Sequence, residues 1–284
     1  MEKETRIPMK FNVGLQKYEP DLEQIKKYAK REELIQRVIQ KKEFSQLPKT
    51  DVEIAFSHFE KKQVSDEEKI RLTRELLHKI FGAFVSQKLL SPKNKSEEWI
   101  LRKHLSTRER LPYYNEVYSK IFSGFDEASV IDLGCGINGF SFRIIEKFIQ
   151  VKKYMGIESV GQLVNLVNSY FEKEKIKGKA IHGSLFDLKS VKRIILTQKK
   201  PRIILLFKMI GPLEAMEDNY SKKLISEISP LADRVVVSFA TESMQKRTRF
   251  KWKRAWLTSF IENNFKIIDD FEFGGERYIV FCKK

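Results

Sequence analysis

Apolar side chains recur at intervals of three and four residues through the first hundred positions of the chain. Leu22, Ile25 and Tyr28 begin one such series, and a second follows the segment SDEE at 65–68. This spacing lines one face of a helix with apolar groups, and a serine followed by acidic residues is typical of a helix N-cap. We therefore predict an all-helical N-terminal module over residues 1–100.

Short β-rich runs separated by helix-length spacers replace this pattern further along the chain. The runs are SVIDLG (129–134), KYMGIES (153–159), GKAIHGS (178–184), RIILLFK (202–208) and DRVVVSF (233–239). Such alternation predicts a parallel sheet of βαβ units, which places the chain in the α/β class with a Rossmann-like sheet over residues 101–284.

The last strands follow a different pattern. FKIIDDFEF (265–273) and ERYIVFC (276–282) flank the pair Gly274-Gly275. Two strand-like runs around a glycine pair predict a hairpin. We expect this C-terminal hairpin to place an antiparallel strand at the end of the sheet.

The end of the first strand carries the features of a nucleotide cofactor site. The sequence DLGCGING (132–139) leads from this strand towards a helix-like run over 140–148. Glycines there let the backbone turn sharply and approach a ligand closely. Glu158 closes the next strand, where a carboxylate commonly binds a ribose hydroxyl. NAD and S-adenosylmethionine (SAM) folds share this arrangement. The DLGCG wording and the closing hairpin resemble those of the SAM methyltransferase class, and this resemblance favours SAM.

Charge indicates the kind of partner. The chain has 54 Lys and Arg against 38 Asp and Glu, a formal net charge of +16, which attracts polyanions. We expect nucleic acid as the partner, although a lysine-rich proteome would also produce such a balance.

Cysteine content and apolar runs bear on the compartment. Cys135 and Cys282 lie far apart, so neither a disulfide framework nor a metal site is expected. The start MEKETRIPMK has no apolar signal region, and runs such as IILLF at 203–207 are too short for a bilayer. A cytoplasmic protein without membrane contact is expected.

Two stretches concentrate the basic residues. The stretch 189–202 has six basic residues and no acidic one, and for it a solvated surface is as good an interpretation as an RNA contact. The stretch 245–254 also has six, with Phe250 and Trp252 interleaved, and it follows the fifth strand. Basic side chains hold phosphates, and this position lies beside the cofactor. The predicted RNA contacts are Lys246, Arg247, Arg249 and Lys251.

Several motifs resemble those of one enzyme family. The segment HLSTRERLP (104–112), the DLGCG turn, IILLFKMIGPLE (203–214) and VVVSFATESMQKR (235–247) occur in the same order as in the aminoglycoside-resistance 16S ribosomal RNA methyltransferases of the Arm or FmrO type. The helical module is similar in layout to the RNA-binding module that precedes their catalytic domain. The resemblance implies a SAM-dependent methyltransferase sheet.

The resemblance also implies a set of cofactor-binding residues. Arg110 would pair with the methionine carboxylate of SAM, Glu158 would bind the ribose, and the strand end at 184–185 would contact the adenine. The complete set is His104, Leu105, Ser106, Arg110, Gly134, Gly136, Glu158, Ser184, Leu185, Phe207 and Met216. The chain departs from the family pattern at Ser184, Met216 and Ala240, where the family usually has aspartate, glutamine and proline.

Members of this family methylate N7 of a guanine in the decoding site of the small ribosomal subunit, and we expect the same reaction from a monomer. The resemblance implies antibiotic resistance, and a housekeeping modification is the alternative role. Guanine N7 needs no general base, because its lone pair lies in the plane of the ring. Lys208, at the end of the fourth strand, is the candidate catalytic residue, holding guanine O6 or a phosphate. Methylation of another rRNA or tRNA position, and a non-catalytic role in RNA binding or ribosome assembly, are the alternatives.

We predict that Arg247→Glu abolishes rRNA methylation and leaves SAM affinity unchanged, because the substitution should affect only the contact with the polyanion. Methylation of small subunits and calorimetric SAM binding measure the two properties separately. A fall in SAM affinity would instead assign Arg247 to the cofactor pocket or to the fold.

Overall fold

Amphipathic helices open the described part of the chain. The computed structural model describes residues 22–82, 87–90, 95–241 and 255–284. The N-terminal helices are α1 (Leu22–Ile39), α2 (Lys49–Glu60), α3 (Asp66–Ile80), α4 (Gln87–Leu90) and α5 (Glu97–Lys103). The predicted helical character is therefore confirmed for the described residues of this region, and residues 1–21, 83–86 and 91–94 of the prediction lie outside them.

Helix α3 illustrates how side chains cap the N-terminus of these helices and satisfy a buried polar group within them. The Ser65 hydroxyl accepts a hydrogen bond from the backbone N–H of Glu68 at 3.2 Å, which satisfies an otherwise unpaired amide of the first turn. Thr73 is the one polar residue on the buried stripe, and its hydroxyl donates to the Lys69 carbonyl at 2.7 Å. This bond lets the helix bury a polar side chain without leaving it unsatisfied.

A seven-stranded sheet follows, with the order β3-β2-β1-β4-β5-β7-β6. Strands β1 to β5 are mutually parallel, and β7 pairs antiparallel with both β5 and β6. The predicted hairpin is confirmed, and its antiparallel strand β7 lies one place in from the edge formed by β6. The strands are β1 (Glu127–Leu133), β2 (Gln150–Glu158), β3 (Gly178–His182), β4 (Arg202–Phe207), β5 (Arg234–Ala240), β6 (Phe265–Phe273) and β7 (Glu276–Lys283).

The helices of this part connect and cover the strands. Helices α6 and α7 precede β1, and α13 precedes the hairpin. They are α6 (Leu105–Arg110), α7 (Tyr114–Phe122), α8 (Phe142–Ile145), α9 (Gly161–Lys173), α10 (Leu188–Leu196), α11 (Ile210–Met216), α12 (Tyr220–Ile228) and α13 (Ala255–Asn264). Among the described residues, none of the helices combines the length and apolar character needed to span a bilayer.

The segment after β1 differs from its sequence prediction. In place of one helix over 140–148, a 3-10 turn (Asn138–Ser141) leads into the single turn of α8. The residues from Ile137 to Phe142 are all buried, so this segment has no solvent-facing side of the kind that an amphipathic surface helix has. Burial among neighbouring side chains therefore determines the conformation of this segment more than the local spacing of its apolar residues does.

Two apolar clusters lie on opposite faces of the sheet. Val130 belongs to one and its neighbour Ile131 to the other, as the two-residue period of a strand requires. The first cluster also contains Leu34 and Val52 of the N-terminal helices, so these helices share a core with one face of the sheet. Helix α5 crosses the predicted boundary near residue 100 with Ile100 buried in that core. The division into two modules stays a prediction.

We predict that Gly156→Ala destabilises the protein by about 1–3 kcal/mol, because overpacking a filled core displaces its neighbours. A Cβ at this buried position of β2 would lie 2.6 Å from the Cys135 sulfur. Gly183→Ala is the matched control, since the nearest atom there is 3.8 Å away; its stability should change by less than about 0.5 kcal/mol. Urea denaturation measures both, and equal stability of the two variants would contradict this packing.

Candidate functional site

The candidate site lies at the edge where the parallel strands end, which we call the carboxyl edge. The residues that follow β1, β2, β3 and β4 meet there because parallel strands end on the same side of a sheet. This arrangement brings Gly134, Glu158, Ser184 and Lys208 from distant parts of the sequence to one edge.

The turn after β1 requires its glycines. Gly134 has φ +72° and Gly136 has φ +50°, values that L side chains rarely adopt. A Cβ at Gly136 would also lie 3.2 Å from Nε2 of His104. The Gly134 N–H donates to the Ile157 carbonyl at 2.8 Å, which ties the turn to β2. The backbone therefore comes close to His104 in a way that a larger residue would prevent.

Glu158 binds this turn from the end of β2. Its two carboxylate oxygens accept the backbone N–H groups of Gly136 at 2.8 Å and Val160 at 2.9 Å. Burial raises the pKa of Glu158, and the two amide hydrogen bonds oppose that rise. An ionised carboxylate has about four acceptor positions, so two remain for the hydroxyls of a ligand.

Ser184 and Leu185 lie at the end of β3, and both are buried. The Ser184 hydroxyl donates to the Asp51 carboxylate of α2 and accepts from the Phe186 N–H at 3.0 Å. The Leu185 carbonyl accepts from the Tyr220 hydroxyl at 2.7 Å. The strand end is thus fixed by contacts from both the sheet helices and the N-terminal helices.

Arg110 lies in a buried polar network rather than at the surface. Its guanidinium donates to Glu276 at 2.7 Å and to the Tyr278 hydroxyl at 3.1 Å, and its centre lies 4.3 Å from the centre of the Phe207 ring. The side chains of Arg110 and Glu276 are only 1% and 2% exposed. Burial favours the neutral carboxyl of Glu276, but Arg110 and Lys208 outweigh it and hold the pKa below its usual value. Pairing of Arg110 with a ligand carboxylate stays a prediction.

Asn138 connects Arg110 to the end of β1. Its amide N–H donates to Asp132 at 2.8 Å, while its carbonyl oxygen accepts from the Tyr114 hydroxyl at 2.7 Å. Asp132 also accepts from the Tyr154 hydroxyl at 2.6 Å. The glycine-rich turn is therefore anchored to the core by hydrogen bonds from α7, β1 and β2.

Lys208 follows β4 in a left-handed conformation, with φ +56°. Its ammonium group pairs with Glu109 and lies 3.3 Å from Glu276. Its backbone N–H donates to the Ser238 carbonyl at 3.0 Å. Three N–H donors are available on an ammonium. The ammonium hydrogen-bonds Glu109, and its contact with Glu276 is an ion pair without a hydrogen bond, so at least one donor is left for a further partner.

The remaining predicted cofactor residues differ in their surroundings. Leu105 and Ser106 are half-buried in the first turn of α6. Met216 is buried at the end of α11, and its carbonyl oxygen lies 2.7 Å from Nε2 of His58. Helix α2 supplies both His58 and Asp51, and so it contacts the carboxyl edge at two places.

The two basic stretches have different outcomes. Lys246, Arg247, Arg249 and Lys251 lie outside the described residues. In the first stretch, Arg202 donates to the carbonyls of Gln198, Leu231 and Leu196 at 2.7 to 3.1 Å. Arg202 also begins β4, at the edge of the sheet opposite the site. This part of the first stretch supports the fold.

Four residues of the site were absent from the sequence prediction: Asp51, Asn138, Glu276 and Tyr278. Asn138 stands inside the recognised turn motif, so its position was a usable signal. Asp51 had the ordinary sequence features of a residue in the first turn of a helix, and Glu276 had those of a residue that begins a strand after a turn. Sequence reasoning missed both because Asp51 contacts Ser184, and Glu276 contacts Arg110, across more than a hundred positions of the chain.

Comparison with known proteins identifies the family. The family model described as "Ribosomal RNA methyltransferase (FmrO)" matches residues 94–259, more than half of the chain. This chain belongs to the FmrO family of ribosomal RNA methyltransferases. The match includes the 104–112 motif, the glycine turn and Lys208.

Individual relatives are more distant. A "16S rRNA (guanine(1405)-N(7))-methyltransferase" from Proteus mirabilis is 24% identical over 196 residues, 65% of this chain and 64% of the relative. A protein of the same description from Frankia casuarinae is 24% identical over 202 residues, 64% of this chain and 68% of the relative. The chain thus spans slightly less than two thirds of the Proteus mirabilis relative.

Solved structures of two 16S rRNA methyltransferases share the fold. The 16S rRNA methyltransferase RmtF, crystallised with S-adenosyl-L-homocysteine, superposes with a TM-score of 0.72 at 21% identity, covering 89% of this chain and 98% of RmtF. The 16S rRNA methylase RmtB gives 0.70 at 19% identity, with coverage of 89% and 98%. These similarities confirm the Rossmann-like methyltransferase sheet.

We predict that His104 makes stability fall in acid. Burial, aided by Arg110 and Lys208, lowers the pKa of His104 to about 4 from an ordinary 6.5. The unfolded chain therefore binds the proton first, and stability is lost as pH falls from 6.5 towards 4, by up to about 3 kcal/mol. His104→Gln should lose less stability over this range in urea denaturation.

The matched control is His78→Gln, at a histidine whose side chain is 64% exposed. Its pH profile should follow that of the unsubstituted protein, since substitution of an exposed side chain typically changes stability by less than about 0.5 kcal/mol. Identical profiles for His104→Gln and the unsubstituted protein would contradict the buried, neutral state of His104.

Proposed function

We propose that this protein is a SAM-dependent methyltransferase of 16S-type rRNA that modifies guanine N7 in the decoding site of the small ribosomal subunit. Membership of the FmrO family supports the reaction class. The observation that carries the proposal is the carboxyl edge, where Glu158 is bound to the glycine turn and Ser184 and Lys208 lie at the neighbouring strand ends.

The residues at the carboxyl edge fit SAM. Gly134 and Gly136 allow the turn its positive φ values and its close packing against Met209 and His104, and Glu158 retains acceptor positions for the ribose hydroxyls. Leu185, Phe207 and Met216 supply buried apolar surface. In the proposal, His104, Leu105, Ser106, Arg110 and Ser184 complete the pocket. SAM, when bound, supplies an electrophilic methyl group.

The target atom determines what the chain itself must do. Guanine N7 accepts a methyl group through an in-plane lone pair and loses no proton in that step, so no residue needs to act as a base. The work of the chain is then to position the nucleophile, which contributes up to about 7–11 kcal/mol in favourable cases. The remaining ammonium donor of Lys208 suits guanine O6 or a nearby phosphate, and Glu109 and Glu276 fix its direction.

The proposal extends to partners and setting. Two relatives carry the name of a 16S rRNA methyltransferase specific for guanine N7, and the net charge of +16 suits a polyanionic particle. We place the enzyme in the cytoplasm as a monomer, with Lys246, Arg247, Arg249 and Lys251 contacting the RNA. Aminoglycoside resistance of the host would be the physiological result.

The decisive test is incubation of the protein with methyl-labelled SAM and purified small subunits, followed by mapping of the labelled base. The expected product is one 7-methylguanine in the decoding site of 16S rRNA. Label on an exocyclic amine, on adenine N1 or in tRNA would replace this target with the alternative methyltransferase function. A protein that binds RNA but neither SAM nor label would have a non-catalytic role.

We predict that Lys208→Ala and Glu158→Ala have opposite signatures. Lys208→Ala should lower the single-turnover rate far more than SAM affinity, because the role proposed for its ammonium is to position the nucleophile. Glu158→Ala should weaken SAM binding by about ten-fold to a hundred-fold, since hydrogen bonds to a charged group contribute roughly 1.5–3 kcal/mol. Calorimetry and single-turnover methylation separate the two effects.

Glu172→Ala, at an exposed carboxylate of α9, is the control and should change neither property. The single-turnover rate of the unsubstituted protein should also show no basic limb near neutral pH. Equal loss of affinity in Lys208→Ala and Glu158→Ala would contradict the division of roles.

A further inference from the structure

A buried carboxylate from the N-terminal helices lies at the carboxyl edge with an unused oxygen. Asp51, in the first turn of α2, is 0% exposed. Its Oδ1 accepts a hydrogen bond from the Ser184 hydroxyl. Its Oδ2 has no hydrogen-bond partner among the described residues.

A buried carboxylate oxygen without a partner, such as Oδ2 of Asp51, is expected to accept a hydrogen bond from a donor that binds there. Buried polar atoms are almost always hydrogen-bonded, and a buried carboxylate is costly unless its lone pairs are satisfied. Burial raises the pKa of Asp51, and the neighbouring Ser159 and Ser184 hydroxyls oppose the rise. The one hydroxyl hydrogen of Ser159 is donated to the Gly183 carbonyl at 3.3 Å, so Ser159 does not satisfy Oδ2. A further neutral donor would stabilise the ionised form.

The surroundings of Asp51 are those of the cofactor base. Ser184 follows β3, and the charge of Asp51 contributes to the raised pKa of Glu158 at the end of β2. Next to it, the Gln46 carbonyl accepts the N–H of Gly161 at 3.3 Å and holds the start of α2 against the start of α9. Asp51 therefore lies on the β3 side of Glu158, beside the strand end proposed for the adenine.

We infer that the Asp51 carboxylate accepts a hydrogen bond from the exocyclic amino group of the cofactor's adenine. This inference rests on the proposed SAM-dependent function. An ionised carboxylate is an acceptor only, and the adenine amino group is a donor. The Ser184 hydroxyl acts as a positioning group, because it holds Oδ1 and is itself fixed by the Phe186 N–H.

In this inference, a residue of the N-terminal helices, Asp51 of α2, recognises the adenine base of the cofactor. Hypoxanthine carries a carbonyl oxygen where adenine carries the amino group, so it would place an acceptor against the carboxylate. The protein should therefore distinguish the two bases through Asp51. Removal of α2 would impair cofactor binding as well as any contact with RNA.

The test compares two ligands by calorimetry: S-adenosylhomocysteine and its hypoxanthine counterpart, S-inosylhomocysteine. The unsubstituted protein should bind the adenine compound at least about ten-fold more tightly, since a buried polar group left unpaired is strongly disfavoured. In Asp51→Asn this preference should fall to within about three-fold, because a carboxamide presents either a donor or an acceptor.

Glu53→Gln is the matched control. Glu53 lies on the same helix, and its carboxylate is 3.7 Å from the Lys49 ammonium with which it pairs. It should keep the full preference for adenine. An Asp51→Asn protein that keeps the preference would overturn the inference, and so would equal binding of both compounds by the unsubstituted protein. Equal binding of both compounds is measured on the unsubstituted protein, so that test does not depend on whether a variant folds. If the unsubstituted protein binds neither compound, the proposed function itself fails.

Discussion

The buried ion pair between Arg110 and Glu276 is the constraint on which the carboxyl edge depends. Two charges removed from water are costly, and they persist only when each is paired and hydrogen-bonded. Here Tyr278, Asn138 and Ser238 supply the additional hydrogen bonds. Because Arg110 lies in α6 and Glu276 begins β7, the pair joins the segment before the sheet to its last strand.

Several functional features follow from this pair. Arg110 stacks on Phe207 at the end of β4, and Glu276 also attracts the Lys208 ammonium. The left-handed turn at Lys208 is held by β5 through Ser238, whose hydroxyl also donates to Glu276. The candidate catalytic lysine is therefore positioned by the same charges that close the fold. Positioning of this kind suits a reaction that needs alignment and no base.

The helical module and the sheet meet at the other side of the edge. Asp51 and His58 on α2 contact Ser184 and the Met216 carbonyl, and the apolar faces of α1 and α2 share a core with the sheet. These contacts fix the N-terminal helices against the face of the sheet that carries the proposed cofactor site.

The sequence by itself determined the strands, the glycine turn, Glu158 at the end of β2, and the hairpin, because these depend on local periodicity and on residues close together in the chain. The family motif also marked Arg110 and Lys208. Only the tertiary structure decided that Arg110 meets Glu276, that Asp51 reaches Ser184, and that the segment after β1 forms a single helical turn. Those outcomes depend on burial and on partners distant in sequence, and neither is encoded in a local pattern of side chains.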